Sequence, residues 1–114
     1  MITESSTRRI GEVDVIDISG RLSLGNTLMA LERSIQNLIE QGSRKLVVNL
    51  AKLDFIDSAG VGTLIACNGQ MEQKQGKMRI AGAQGAVART FELVHMGRIV
   101  ALDGDLDSAC NNLA

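Results

Sequence analysis

Residues 45–65, KLVVNLAKLDFIDSAGVGTLI, carry the reading that decides the fold of this chain. Leu46-Val47-Val48-Asn49-Leu50 has the length and Val content of a buried strand. Residues 51–58 read as a connection. From Ala59 apolar residues return at helical spacing as far as Gln75, with Gly76 closing the helix. Ser58 stands at the junction, where a serine oxygen is suited to accept an orphan backbone N–H as an N-cap. An exposed hydroxyl at a helix N-terminus is also a place where a phosphate is electrostatically favoured. One residue therefore carries both a structural and a functional reading.

Working outward, residues 13–19 alternate as a half-buried strand, and Gly11-Glu12 before them suit a hairpin turn with residues 2–8 as an edge strand. Residues 20–23 lead into a loop. Over 26–41, Leu28, Leu31, Ile35, Leu38 and Ile39 share one helical face, with Gly42 at the C-terminal cap. Residues 77–81 predict a short strand. Residues 84–94 predict a helix with Val87, Phe91 and Val94 on a stripe, 99–102 another strand, and 105–113 a last helix capped by Asp105. Strands alternating with about four helices define an α/β domain with a largely parallel sheet, made mixed by the hairpin. With no proline, repeat or linker, residues 1–114 read as one domain.

Composition narrows the function. The chain has 114 residues, 45% hydrophobic and 22% charged, which argues for a packed core and against disorder. A net charge of −1 gives no footprint for nucleic acid or an anionic membrane. Phe55 and Phe91 are the two aromatics, so the core is aliphatic and no base-stacking platform exists. Cys67 and Cys110 lack metal-ligand spacing and read as reduced thiols. Residues 1–9 hold no apolar core of signal-peptide length, and no run approaches a membrane span. A cytoplasmic location without direct membrane contact is the expectation.

Catalytic constellations are weak. His95 is the one histidine and falls near a helix end. Neither cysteine has a base beside it in sequence, and Cys67 fits a small core residue. GVGTLI at 60–65 lacks the third glycine of a dinucleotide fingerprint and fails the P-loop pattern. Asp54 with Asp57 is too thin a set for a metal. A phospho-aspartate receiver needs an acidic pair after an early strand and a lysine after a late one. Here those places read Ser19-Gly20-Arg21 and Ala101-Leu102-Asp103. No enzyme activity, cofactor or metal is expected.

Residues 53–62, LDFIDSAGVG, resemble the signature of the STAS domain of anti-sigma-factor antagonists, an apolar-Asp-Ser-(Ser/Thr/Ala)-Gly-apolar-Gly string that opens the central helix. ISGRL at 18–22 is similar to the end of that family's early strand, and FELVHMG at 91–97 to its turn before the last strand. The resemblance covers nearly the whole chain and has the same order of elements. It implies a STAS fold and a partner-switching regulator. In the family, the serine matching Ser58 is phosphorylated by an anti-sigma factor that is itself a serine kinase. The unphosphorylated antagonist binds that kinase and frees a sigma factor, and a serine phosphatase resets the cycle.

On this reading Ser58 is the phosphorylation site, and Asp57, Ser58, Ala59, Gly60, Gly62, Thr63 and Asn26 form the partner-binding set, with Asn68 a weaker member. Asp57 positions the loop and presents charge, or simply closes a turn. Gly60 and Gly62 either let a kinase backbone approach or let the helix pack on the sheet. Ser23 stands where many antagonists carry an acid, and Ala59 replaces a second hydroxyl, leaving Ser58 as the local phosphate acceptor. Two other readings of the same motif are a phosphorylation-independent STAS subunit of a membrane transport complex and a small-ligand sensor with an anion site at the Ser58 helix.

Overall fold

The structure is a computed structural model and describes residues 4–114. Two strands form an antiparallel hairpin, β1 (Glu4–Ile10) and β2 (Val13–Leu22), turning at Gly11-Glu12 with Gly11 at φ 59°. The expected edge strand is thus present and runs two residues further, to Ile10, and its expected first two residues, Ile2 and Thr3, lie outside the described residues. Helix α1 (Asn26–Glu40) leads to β3 (Lys45–Ile56), and α2 (Ser58–Gln73) to β4 (Lys77–Ala81). Helix α3 (Gly85–Leu93) and a single 3₁₀ turn (Met96–Arg98) precede β5 (Ala101–Asp103) and α4 (Leu106–Leu113). The sheet order is β1-β2-β3-β4-β5, antiparallel in the first pair and parallel in the rest. The expected mixed, mostly parallel α/β architecture with four helices is the observed one.

Strand alternation puts alternate side chains on opposite faces of this sheet. Ile16, Ile18 and Leu22 of β2, with Leu46, Val48 and Leu50 of β3, face a core closed by α1, α2 and α3. Val13, Val15, Val47 and Ala81 face the other way, where Ala109 and Leu113 of α4 cover them. Nearly the whole interior is aliphatic, as the scarcity of aromatics requires; Phe91 is buried in it.

Two differences from the sequence reading matter. First, β3 does not stop at Leu50. Residues 51–56 remain strand because β2 continues alongside them, with Ser19 opposite Lys52 and Leu22 opposite Ile56. Leu53 and Ile56 are buried while Lys52 and Asp54 are exposed. Two bulges in the pairing with β2 put Leu50, Leu53 and Ile56 on the core side at three-residue spacing, which hides the strand from a period-two reading. β4 stops pairing at Asn49, so β2 and β3 project beyond the rest of the sheet. At about 3.3 Å per residue, that projection carries the start of α2 roughly 20 Å past the last β3–β4 pair. Second, α2 ends with Gln75, not Gly76, in the left-handed conformation (φ 63°). Gly76 is required for space instead: a Cβ there would stand 2.8 Å from Met71 Cε and 3.1 Å from the Arg44 carbonyl.

Candidate functional site

The site is the junction between the projecting end of β3 and the first turn of α2. The sequence places Ser58 as the cap of this helix; the structure gives that role to Asp57. Asp57 has extended backbone (φ −104°, ψ −177°), and its Oδ1 accepts from the Gly60 N–H at 2.8 Å. The other oxygen, Oδ2, accepts from the Leu24 N–H at 3.1 Å, across 33 residues. The Asp57 N–H in turn donates to the Leu22 carbonyl at 3.3 Å. One carboxylate therefore closes the helix end and ties the β2–α1 loop to it. Accepting the Gly60 N–H, more than accepting that of Leu24, holds this carboxyl below its ordinary value of 3.8 against a smaller opposing effect of desolvation.

The cap moves by one residue because Ser58 has already turned helical, so its oxygen no longer lies under the free N–H groups of the first turn. The consequence is chemical. The Ser58 side chain is exposed, and its hydroxyl makes no hydrogen bond among the described residues. It stands at the positive end of a helix of 16 residues.

The remaining candidates separate by burial. Asn26 is exposed at the start of α1, beside the loop that Asp57 anchors, and Ala59 is half-buried. Gly62 is exposed with open space where a Cβ would stand. Gly60 is different: it is buried, and a Cβ would lie 2.5 Å from the Leu22 carbonyl and 2.7 Å from Ile56 Cγ1. Close packing of α2 on the end of the sheet explains Gly60; an approaching backbone does not. Thr63 and Asn68 are each 8% exposed. The Thr63 hydroxyl faces Glu32 of α1 at 3.5 Å, and Asn68 Nδ2 donates to Glu72 at 2.7 Å and to the Ile99 carbonyl at 3.4 Å. Both serve contacts inside the fold, which corrects their placement on an outward face.

Two residues of the surface were not named from sequence. Leu24, 83% exposed, lies in the tethered loop, and Met29, 58% exposed, on the outer side of α1. A signal for Met29 existed: it falls off the Leu28–Leu31–Ile35 stripe. The Leu24 N–H bond to Asp57 carries the first of these apolar side chains to the α2 terminus. His95 lies elsewhere, exposed and left-handed (φ 55°) after α3. Cys67 is buried and its thiol is pushed up to about 12 by burial, with Glu32 adding to it. Among the described residues no cluster of metal-ligating side chains occurs, and no helix is long and apolar enough to cross a membrane.

A mixed sheet of this order, with an Asp-capped helix presenting a serine at the end of its longest strand, defines a class. The chain belongs to the STAS-domain family, whose profile matches residues 4–109. Its similarities run to BtrV of Bordetella bronchiseptica, a candidate anti-sigma factor antagonist, at 30% identity over 63 residues, 55% of this chain and 54% of that protein. That match therefore spans about half of the relative. The anti-sigma-B factor antagonist of Staphylococcus aureus is 26% identical over 78 residues, 68% of this chain and 71% of its own length. Among solved structures, an anti-sigma factor antagonist from Mycobacterium paratuberculosis superposes with TM-score 0.87 at 22% identity, covering 98% of this chain and 94% of that one. The phosphorylated form of the Bacillus cell fate determinant SpoIIAA superposes with TM-score 0.75 at 20% identity, over 97% and 100% of the two chains.

Proposed function

We propose that this protein is an anti-sigma-factor antagonist, a cytoplasmic single-domain switch without an active site of its own. Unphosphorylated, it binds an anti-sigma factor that is a serine kinase; phosphorylation at Ser58 releases it, and a serine phosphatase restores it. The observation that carries this reading is the unused, exposed Ser58 hydroxyl, freed because Asp57 caps the helix. The names of the B. bronchiseptica and S. aureus relatives support it, as does a phosphorylated protein of the same fold.

The energetics favour a switch that works at the interface. In phosphoryl transfer, Ser58 Oγ forms a bond to the γ-phosphorus of ATP held by the kinase, the bond to the ADP oxygen breaks, and the hydroxyl proton passes to a kinase base. The product carries about −1.5 to −2 charges. Within the protein, the α2 terminus favours that charge by roughly 0.3–1 kcal/mol, and the adjacent Asp57 carboxylate offsets part of it. Neither effect is large enough to remodel the fold. Against a bound kinase the same dianion is covered at the α2 terminus, where desolvation without a partner costs several kcal/mol. At about 1.4 kcal/mol per tenfold, binding falls at least a hundredfold.

The test uses purified protein, the host's anti-sigma kinases and ATP. Intact mass should show one added phosphate, absent from Ser58→Ala, and calorimetry should show that Ser58→Ala binds the kinase while the phosphorylated protein does not. Equal affinity of phosphorylated and unphosphorylated protein would refute the switch. A folded protein that no kinase modifies would redirect the reading to a structural STAS subunit.

A further inference from the structure

The two edges of the sheet are built differently. β1 is seven residues long and carries Arg8 and Arg9, charges that discourage a second strand from pairing there. β5 is only Ala101-Leu102-Asp103, with Leu102 exposed. Of the seven large hydrophobic residues exposed among the described residues, Ile10 ends β1, Leu24 lies in the β2–α1 loop and Met29 on α1, whereas Leu93, Val94, Ile99 and Leu102 lie in or next to α3, the 3₁₀ turn and β5. Helix α3 packs inboard on β3, where Gln84 Nε2 donates to the Ala51 carbonyl at 2.6 Å. That leaves a groove of about 520 Å³ between α3 and β5, with Ala88, Phe91, Met96 and Leu102 on its apolar part and Glu92, Arg98 and Asp103 on its charged part.

The backbone of β5 points the same way. The Asp103 carbonyl accepts from the Gly82 N–H at 3.1 Å, so Asp103 faces β4. Backbone groups alternate sides along a strand, which turns the N–H and C=O of Leu102 to the open edge. Charge is also arranged with a sign. Arg98 precedes β5 and makes no salt bridge among the described residues, while Asp105 and exposed Asp107 follow it at the start of α4.

We propose that the β5 edge is a self-association surface through which two copies join their sheets about a two-fold axis. Antiparallel pairing centred on Leu102 sets Ala101 of each copy against Asp103 of the other. Four residues from the centre, Arg98 of each copy then meets the acidic start of the other's α4, at Asp105 and Asp107. The patch is self-complementary, as a closed two-fold interface requires. Leu102 of each copy extends the apolar floor of the other's groove. With three residues per strand the interface is small, and the dimer belongs to the weak, reversible class. Ser58 lies away from this edge, so the proposal stands or falls independently of the phosphorylation reading.

Sedimentation of the full chain up to about 1 mM tests it, a range that populates even a weak dimer. Wild type should show a monomer–dimer equilibrium, with slower amide exchange at Leu102 as concentration rises. Leu102→Lys, Arg98→Glu and Asp107→Arg should each weaken dimerisation roughly tenfold or more. Mixing Arg98→Glu with Asp107→Arg should restore a dimer, because both charge pairs are again opposite, and this rescue shows that the variants are folded. A wild type that stays monomeric throughout overturns the proposal. So do open-ended assemblies, which indicate β1-to-β5 stacking, and a dimer indifferent to Leu102→Lys and to the charge exchange.

Discussion

Gly60 and Gly62 are two residues apart in the same helix, yet an added methyl should act on them with opposite sign. At Gly62 a Cβ meets nothing within 4 Å. Gly62→Ala should therefore gain the helix preference of alanine, about 1 kcal/mol. At Gly60 the same preference is available, but the methyl would stand 2.5 Å from the Leu22 carbonyl and 2.7 Å from Ile56 Cγ1. The carbonyl is backbone, already accepting from the Asp57 N–H, so relief requires α2 to move off the sheet. Overpacking of that kind costs about 1–3 kcal/mol. Displacement also stretches the 2.8 Å bond from the Gly60 N–H to Asp57, worth about 1 kcal/mol as a cap. Set against the gain in preference, the net loss is about 1–3 kcal/mol. The two variants should differ by about 2–4 kcal/mol, or roughly 8–16 °C in Tm at about 4 °C per kcal/mol. Thermal and urea melts followed by far-UV circular dichroism measure this directly. Two variants within about 0.5 kcal/mol of each other, or a Gly60→Ala protein more stable than wild type, would show that the α2 terminus is not packed as described.

The other predictions concern Asp57 and the thiols. Asp57→Ala should lose about 2 kcal/mol, one for the cap and about one for the charge-assisted bond to the Leu24 N–H, while Asp57→Asn should lose about half of that. Because the folded carboxyl lies below its ordinary value of 3.8, its extra stabilisation is present above that value and disappears as pH falls below it. Urea melts of wild type and Asp57→Asn should accordingly converge on acidification; a gap independent of pH would exclude the carboxylate charge as its source. In the native protein, alkylation should reach half-buried Cys110 first and Cys67 after unfolding, since burial raises the Cys67 thiol to about 12 and keeps it protonated. Equal rates would mean that α2 opens readily.

The order of strands and helices, the aliphatic core and the position of the serine motif were all present in the sequence, because each is a local pattern. The Leu28–Leu31–Ile35 stripe and the apolar run from Leu46 to Leu50 state their burial through spacing alone, and Asp105 caps α4 as its position before an apolar pattern implies. What tertiary structure decided depends on groups distant in the chain. That Asp57 and not Ser58 caps α2 rests partly on a bond to Leu24, 33 residues away. Gly60 and Gly62 look alike in sequence and differ through the Leu22 carbonyl above one of them. Thr63 is polar yet buried because α1 lies across it with Glu32. β3 runs on to Ile56 because β2 is there to pair with it. Periodicity encodes which side of an element is apolar, but a hydroxyl is left free, or a glycine made indispensable, only by what the rest of the chain brings against it.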